Sequence, residues 1–462
     1  IITWPNEKSQ TIKNPEVNKT HVINIQDARE VVTRIEQATL FTNITKKNSP
    51  THKENIVNDY DREILLPHKM STVGPTLALA DINGDKIDDF YLCGALNEPG
   101  SLMLSSGNSY VKTSISTFYT DKANEDIGAV FFDSDNDNDL DLYVTSGGNE
   151  LSQSESNYSD RLYINQGNAN FKKSSDLPKD ELSNSCAVPF DYDNDGDLDL
   201  FVGGRQSPGK WPFPTDSKIL RNDGGKFTDV TVDIAPDLKK IGMVTDAQAL
   251  DVNGDGNKDL VLTGEWMPIT FLIQKNGKFK KTNLGTDYAV GWWNTIVPAD
   301  IDGDGDIDIL AGNLGLNIKY KASTEAPFSV YCHDFDESGT LDIVLSYHQQ
   351  GSCFPVRGRE CSSQQMPFIK DKFPTYGQFG VATIKDIHGE KLDKSLQYHA
   401  TEFRSGTWIN DGAGSFSFYP FPNEAQVSPI QGIVPYDVNS DGNLDLIMAG
   451  NYYNREVETT RS

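Results

Sequence analysis

The sequence predicts an all-β chain, a seven-bladed β-propeller with calcium-binding loops in its inner hairpins and one partly helical insertion. Three observations carry that prediction. A nine-residue acidic pattern, D-x-[DN]-x-D-G-x-x-D, recurs seven times with small departures. Each copy lies between two short apolar runs, and further apolar runs separated by Gly-rich turns follow it. With 38 Gly and 22 Pro among 462 residues, the chain is turn-rich and poor in long helices.

The seven copies are DINGDKIDD from Asp81, DSDNDNDLD from Asp133, DYDNDGDLD from Asp191, DVNGDGNKD from Asp251, DIDGDGDID from Asp300, DFDESGTLD from Asp334 and DVNSDGNLD from Asp437. Their starts are 52, 58, 60, 49, 34 and 103 residues apart. Spacing of this size belongs to one supersecondary unit per repeat. A β-helix with calcium loops repeats about every nine residues instead.

The pattern is that of a calcium loop. A hard cation takes six to eight oxygens, and alternate residues of a tight loop direct oxygens to one centre. Position 1 is Asp81, Asp133, Asp191, Asp251, Asp300, Asp334 and Asp437. Position 3 is Asn83, Asp135, Asp193, Asn253, Asp302, Asp336 and Asn439. Position 5 is Asp85, Asp137, Asp195, Asp255, Asp304, Ser338 and Asp441. Position 7, expected to ligate through its backbone carbonyl, is Ile87, Asp139, Asp197, Asn257, Asp306, Thr340 and Asn443. The closing carboxylates at position 9 are Asp89, Asp141, Asp199, Asp259, Asp308, Asp342 and Asp445. Up to seven Ca2+ are expected. A solvated acidic turn explains any one copy, but not seven in phase.

Gly at position 6 permits a positive φ. Lys86 replaces it in loop one and Asn138 in loop two, while loop six has Ser338 for the position-5 carboxylate. Loops one and six are therefore expected to bind most weakly. Position 12, a bidentate Glu in an EF-hand, is Leu92, Val144, Val202, Leu262, Ala311, Leu345 or Met448, which excludes that motif.

Around the loops the runs are strands. LALA, GAVFF, CAVPF, DAQAL, TIVPA, FSVYC and GIVPY precede them, and FYLCGA, LYVTSG, LFVGG, LVLTG, ILAGN, IVLSY and LIMAG follow. Continuous apolar runs of this length are strands buried on both faces. SLMLS, RLYINQGNANFKK, KILRNDGGKFTDV, ITFLIQKNGKFKK and TWINDGAGSFSFY add outer strands and N-G or D-G type turns. Four strands repeated about seven times is propeller arithmetic. The last unit stops after its inner hairpin, so closing a ring is expected to need more chain or an N-terminal strand. The first residues lack Met and a signal-peptide core, and the sequence is expected to start inside a longer or processed protein.

These loops resemble the FG-GAP, or VCBS, repeats of integrin-α-like propellers. TWPNEKSQTIKNPEVNKTHVINI, residues 3–25, resembles the closing part of an ASPIC/UnbV module and the cartilage acidic protein family. HKENIVNDYDREILLPHKMSTVGPTLALAD, TGEWMPI, GWWNTIVPADIDGDGDIDILAGNLGLN and RECSSQQMPFIKDKFPTY resemble bacterial surface proteins of this type. The resemblance implies a secreted or surface-anchored binding scaffold, including a lipoprotein on a Gram-negative outer membrane. Expected domains are an ASPIC/UnbV-like part at 1–27, a linker at 28–75 and a propeller at 76–462 with an insertion at 351–405. Helical stretches are expected at about 362–372 and 383–397 within it.

Charge and composition narrow the function. The 67 acidic against 41 basic residues give a net charge of −26, which excludes nucleic acid and anionic membrane as partners. No apolar run is long enough for a membrane-spanning helix. Scattered histidines make zinc a poor candidate, and nucleotide and serine-hydrolase motifs are missing. Loops of modest affinity suit millimolar extracellular calcium. The chain is thus expected outside the cytoplasm, partnered by another surface or outer-membrane protein or by a glycan, within an uptake or secretion assembly. A calcium-dependent polysaccharide lyase or hydrolase is the less favoured alternative.

Smaller features have two readings each. His52, Asp61, Arg62 and His68 form either part of a pocket or a hydrogen-bonded packing loop. Trp266, Trp292 and Trp293 either stack on a sugar or fill the core. Cys353 and Cys361 either close a loop as a disulfide around Arg357 and Arg359, the favoured reading, or stay two thiols, while Cys93, Cys186 and Cys332 read as buried thiols. The triplets at Asn18, Asn43 and Asn157 fit the glycosylation acceptor.

Overall fold

A computed structural model describes residues 2–4, 8–31, 50–107, 109–151, 156–412 and 414–451. Two compact units divide at Pro50. The first carries a three-stranded sheet of Ile2–Thr3, Lys8–Gln10 and Glu30–Val31. Much of the expected 28–75 linker, with the Asn43 triplet, lies outside the described residues.

The second unit is mostly β, and its sheets are antiparallel. The first contains Leu77–Ala80, Asp89–Leu92, Ser101–Ser106 and Ser109–Thr113, in sequence order. The second contains Asp126–Phe132, Asp141–Ser146, Arg161–Asn165 and Phe171–Lys173. Asn184–Phe190, Asp199–Gly204, Lys218–Asn222 and Phe227–Asp229 make the third. The fourth joins Met243–Leu250, Asp259–Met267, Thr270–Lys275 and Lys278–Thr282, with Gly291–Trp292 added beside Asp259–Met267. In each, the four main strands neighbour one another in sequence order, an up-and-down meander.

Successive sheets pack face to face, so each core is shared by two of them. Tyr91 and Leu102 meet Leu142 and Tyr163 between the first and second. Tyr143 and Leu162 meet Leu200 and Leu220 between the second and third. Phe201 and Ile219 meet Leu260 and Leu272 between the third and fourth. Alternate residues of one strand thereby feed two cores: Leu260 and Leu262 face the third sheet, whereas Val261 faces the fifth. That is why the second strands read as uninterrupted apolar runs.

The fifth sheet departs from the series. Its strands are Thr295–Ala299, Asp308–Gly312, Gly406–Asn410 and Phe416–Pro420, with Ile309 opposite Trp408. Between its second and third strands the chain builds another whole sheet, ordered Ser352–Pro355, Asp342–Gln349, Phe328–His333, Leu396–Ala400. The sixth acidic loop belongs to this nested sheet and not to a further member of the row. The stretch expected as an insertion, 351–405, lies within the longer run between Gly312 and Gly406 that also carries the sixth hairpin. Four short helices, Arg359–Gln365, Phe368–Lys372, Tyr376–Gly380 and Ile384–His388, fall in and near the stretches expected to be helical.

The nested sheet is buried on both faces. Phe328, Val330, Cys332, Ile343 and Leu345 pack with Trp211, Met243, Trp266 and Trp292. Tyr331 and Val344 face the helices, packing with Ile369, Phe379 and Ile387. Trp266 sits at φ +60° in a bulged stretch of its strand and stacks on Phe328 at 5.8 Å. Trp266, Trp292 and Trp293 are all buried and so serve packing, not sugar stacking. A final hairpin, Gly432–Tyr436 with Asp445–Ala449, packs on the fifth sheet through Ile433 and Leu310.

None of the five cysteines forms a disulfide, which corrects the expected Cys353–Cys361 bridge. Cys353 lies on a strand with its Sγ 3.2 Å from Ser346 Oγ, while Cys361 lies on a helix against the Trp266 core.

Candidate metal centres in the acidic loops

Each acidic loop joins the first two strands of a hairpin. In loop three, Asp191 accepts hydrogen bonds from the Asp195 N–H at 3.2 Å and the Gly196 N–H at 3.1 Å. Asp195 accepts from the Asp197 N–H at 2.9 Å. The same bonds to position 1 recur in all seven loops from the N–H of position 6. They bend the chain around a common centre, and position 6 has positive φ throughout, including Lys86 at +69° and Asn138 at +70°.

Position 4 is also left-handed in every loop, a constraint that the sequence reading missed. Gly84, Asn136, Asn194, Gly254, Gly303, Glu337 and Ser440 occupy it with φ between +61° and +78°. Its signal was available, because five of the seven are Gly or Asn.

Position 9 has a structural duty besides any ligation. Asp199 accepts from the Tyr192 N–H at 3.0 Å and from the Asn222 N–H of the third strand at 2.8 Å. Asp89, Asp141, Asp259 and Asp308 are fixed by equivalent pairs of N–H groups. Loop six differs. Asp342 takes the Phe335 N–H at 2.7 Å, but its other oxygen is buried with no hydrogen-bond partner.

Four loops bring three carboxylates within 4.8 Å of one another: Asp133, Asp135 and Asp141; Asp191, Asp193 and Asp199; Asp300, Asp302 and Asp304; Asp334, Asp336 and Asp342. Loops one, four and seven have Asn83, Asn253 and Asn439 at position 3, where an amide oxygen stands in for a carboxylate. Loop six keeps its cluster despite Ser338, whose hydroxyl lies 2.8 Å from that of Thr340.

The electrostatics of the loops suit a bound cation. Burial pushes Asp141 and Asp259 up to about 6, and Asp199 and Asp342 up to about 7. Asp135 and Asp193 are raised by burial and by neighbouring carboxylates. Asp135 and Asp342 each keep a buried oxygen with no hydrogen-bond partner. All-oxygen donors and clustered anionic charge match a hard divalent ion of the calcium type.

The opposite ends of the sheets are covered by residues 51–73. His52 Nδ1 lies 3.1 Å from the Cys93 carbonyl, Glu63 accepts the Trp211 N–H at 2.8 Å, and Arg357 donates to the Leu66 carbonyl at 3.3 Å. His68 Nε2 is 3.2 Å from buried Glu265, which also binds Arg205 at 2.6 Å. Burial pushes Glu265 up, but Arg205 and His68 outweigh it and hold the carboxyl at about 2. Arg62 donates to the Asn149 carbonyl, and Asp61 accepts from Asn58 at 2.7 Å. His52, Asp61, Arg62 and His68 are therefore spread along a packing strap and form no shared pocket.

The FG-GAP-like repeat family model matches residues 191–262 and 251–311, spanning loops three to five. No curated protein matches the chain. Among solved structures, the Vibrio cholerae biofilm matrix protein Bap1 is 12% identical, with TM-score 0.33, over 85% of this chain and 80% of its own. A Bifidobacterium bifidum s17 protein assigned as an exo-β-1,3-galactanase is 11% identical, with TM-score 0.28, over 63% of this chain and 95% of its own.

Proposed function

From these FG-GAP-like repeats, we propose that the protein is a calcium-stabilised β-propeller of the extracellular type that acts as a binding scaffold for a surface protein or a glycan. The observation that carries the reading is the repeated loop, whose position-1 and position-9 carboxylates accept backbone N–H bonds of the hairpin and which in four copies brings three carboxylates within 4.8 Å of one another, an arrangement that calls for positive charge. Calcium at the seven loops, through the position 1, 3, 5, 7 and 9 oxygens, supplies that charge.

In a propeller, the row of face-to-face sheets forms the blades, with the sixth loop carried by the nested sheet. Ring closure would also cover Leu77 and Leu79 on the first sheet and Val434 and Tyr436 on the last hairpin, apolar side chains that are exposed in this structure. Millimolar calcium outside the cytoplasm suits such loops, and among the described residues no helix is long and apolar enough to cross a membrane. The ASPIC/UnbV and cartilage acidic protein relationships, the Gram-negative surface and a role in uptake or secretion rest on sequence resemblance.

Thermal unfolding of the full chain tests the calcium reading. Excess chelator should lower the melting temperature by several degrees, with calcium restoring it and equimolar magnesium doing so poorly. An unchanged melting curve in chelator contradicts it. Co-purification of a protein partner from the native membrane fraction tests the scaffold role.

A further inference from the structure

Where the chain leaves the fifth sheet for the nested sheet and returns, it leaves an open cavity of about 540 Å3, within the size range of small-ligand sites. Three segments wall it: Tyr288 and Ala289, residues 316 and 320–325, and residues 401–404. All belong to the strand ends remote from the acidic loops, so the cavity owes nothing to calcium ligation.

Its lining is built for more than packing. Tyr288 is 55% exposed, yet its position is fixed, because the Thr401 hydroxyl donates to its carbonyl at 2.6 Å and its ring lies 5.9 Å from Trp408. Glu402 is buried, and its carboxylate accepts the Arg404 N–H at 2.9 Å and the Arg404 Nε–H at 2.8 Å. Arg404 Nη2 donates to the second oxygen at 2.5 Å. The result is a planar, bidentate pair whose orientation costs a ligand nothing to organise. Ser323 and Thr324 add hydroxyls to the same lining.

The geometry points to a subsite for one or two units of a neutral saccharide, with Tyr288 as the apolar platform and the Glu402–Arg404 pair addressing ring hydroxyls. An amphipathic aromatic ring suits the carbon face of a sugar, and fixed coplanar donors and acceptors suit adjacent hydroxyls. Lys321 and Arg404 are matched by Glu325 and Glu402, so the lining offers no surplus charge to an ionic ligand. The chain's net charge of −26 further disfavours polyanions. This inference deepens the scaffold reading by giving the ligand its class, and it rests on that reading.

The test uses the full, calcium-loaded chain with cellotriose, maltotriose, xylotriose and tri-galacturonate, followed by saturation-transfer NMR and calorimetry. At least one neutral trisaccharide should bind saturably. Tyr288→Ala should weaken it about tenfold or more, Glu402→Gln should also weaken it, and Tyr288→Phe should retain it. Melting curves in calcium establish that each variant is folded. Calcium stabilisation without binding of any neutral trisaccharide overturns the subsite and leaves the calcium reading standing. Tighter binding of tri-galacturonate, or wild-type binding by folded Tyr288→Ala, overturns it equally.

Discussion

Asn222 donates its side-chain N–H to the Ser134 carbonyl at 2.8 Å, joining the third strand of one sheet to the acidic loop of the sheet before it. The same amide reaches the Leu198 carbonyl of its own loop at 3.1 Å. Gln274 repeats the tie to Tyr192 at 2.8 Å, and Asn410 to Val252 at 3.4 Å. The Ser134, Tyr192 and Val252 carbonyls each belong to position 2 of the preceding loop, so loops two to five are fastened in series.

Asn222→Ala should therefore cost about 1–3 kcal/mol, because it strips donors from buried carbonyls. Urea unfolding in saturating calcium measures this. A loss below about 0.5 kcal/mol, the range of an ordinary surface substitution, contradicts the tie.

Positions 3 and 9 should respond differently to chelator. Asp193 lies in the carboxylate cluster, so Asp193→Ala should destabilise the calcium-loaded protein and have little effect once calcium is removed. Asp199 also holds two backbone N–H groups, so Asp199→Ala should destabilise in both states. Melting curves of the two variants with and without chelator decide the point, and parallel behaviour contradicts the division of labour.

Lys86→Gly should stabilise the protein by about 1 kcal/mol. Lys86 holds φ +69°, where a Cβ is unfavourable, and its N–H bond to Asp81 survives the change. Removing a cation from a calcium loop should also tighten binding there. An unaltered calcium titration together with an unaltered melting temperature contradicts both effects.

Glu125 gives the pH dependence its sign. Burial, then repulsion from Glu150 and Glu54, pushes its carboxyl from 4.5 up to about 10. The folded chain keeps this proton while the unfolded chain releases it, so the group's stabilisation is full below about pH 4.5 and is lost as pH rises through about 10. Glu125→Gln should flatten the fall in melting temperature between about pH 5 and about pH 9. A slope equal to wild type over that range counts against it.

Local spacing determined the hairpins and their loops. In every acidic loop the position-6 N–H bonds to the position-1 carboxylate five residues back, so the sequence states the turn and the strands on either side. The tertiary structure alone decided which sheet each strand enters. The run at Phe328–His333 with its acidic loop has the same pattern as the runs of the row, yet Ile309 takes Trp408, nearly a hundred residues on, as its partner and leaves that hairpin to a sheet of its own. Nothing within a strand distinguishes the two outcomes, because backbone pairing is common to all strands and the choice turns on which faces bury together. Phe328 is drawn to Trp266, and Tyr331 to the helices, by packing that no spacing encodes. Tyr288, Glu402 and Arg404 meet at one cavity for the same reason: the fold, and not the order of residues, brings residues 288 and 402 together.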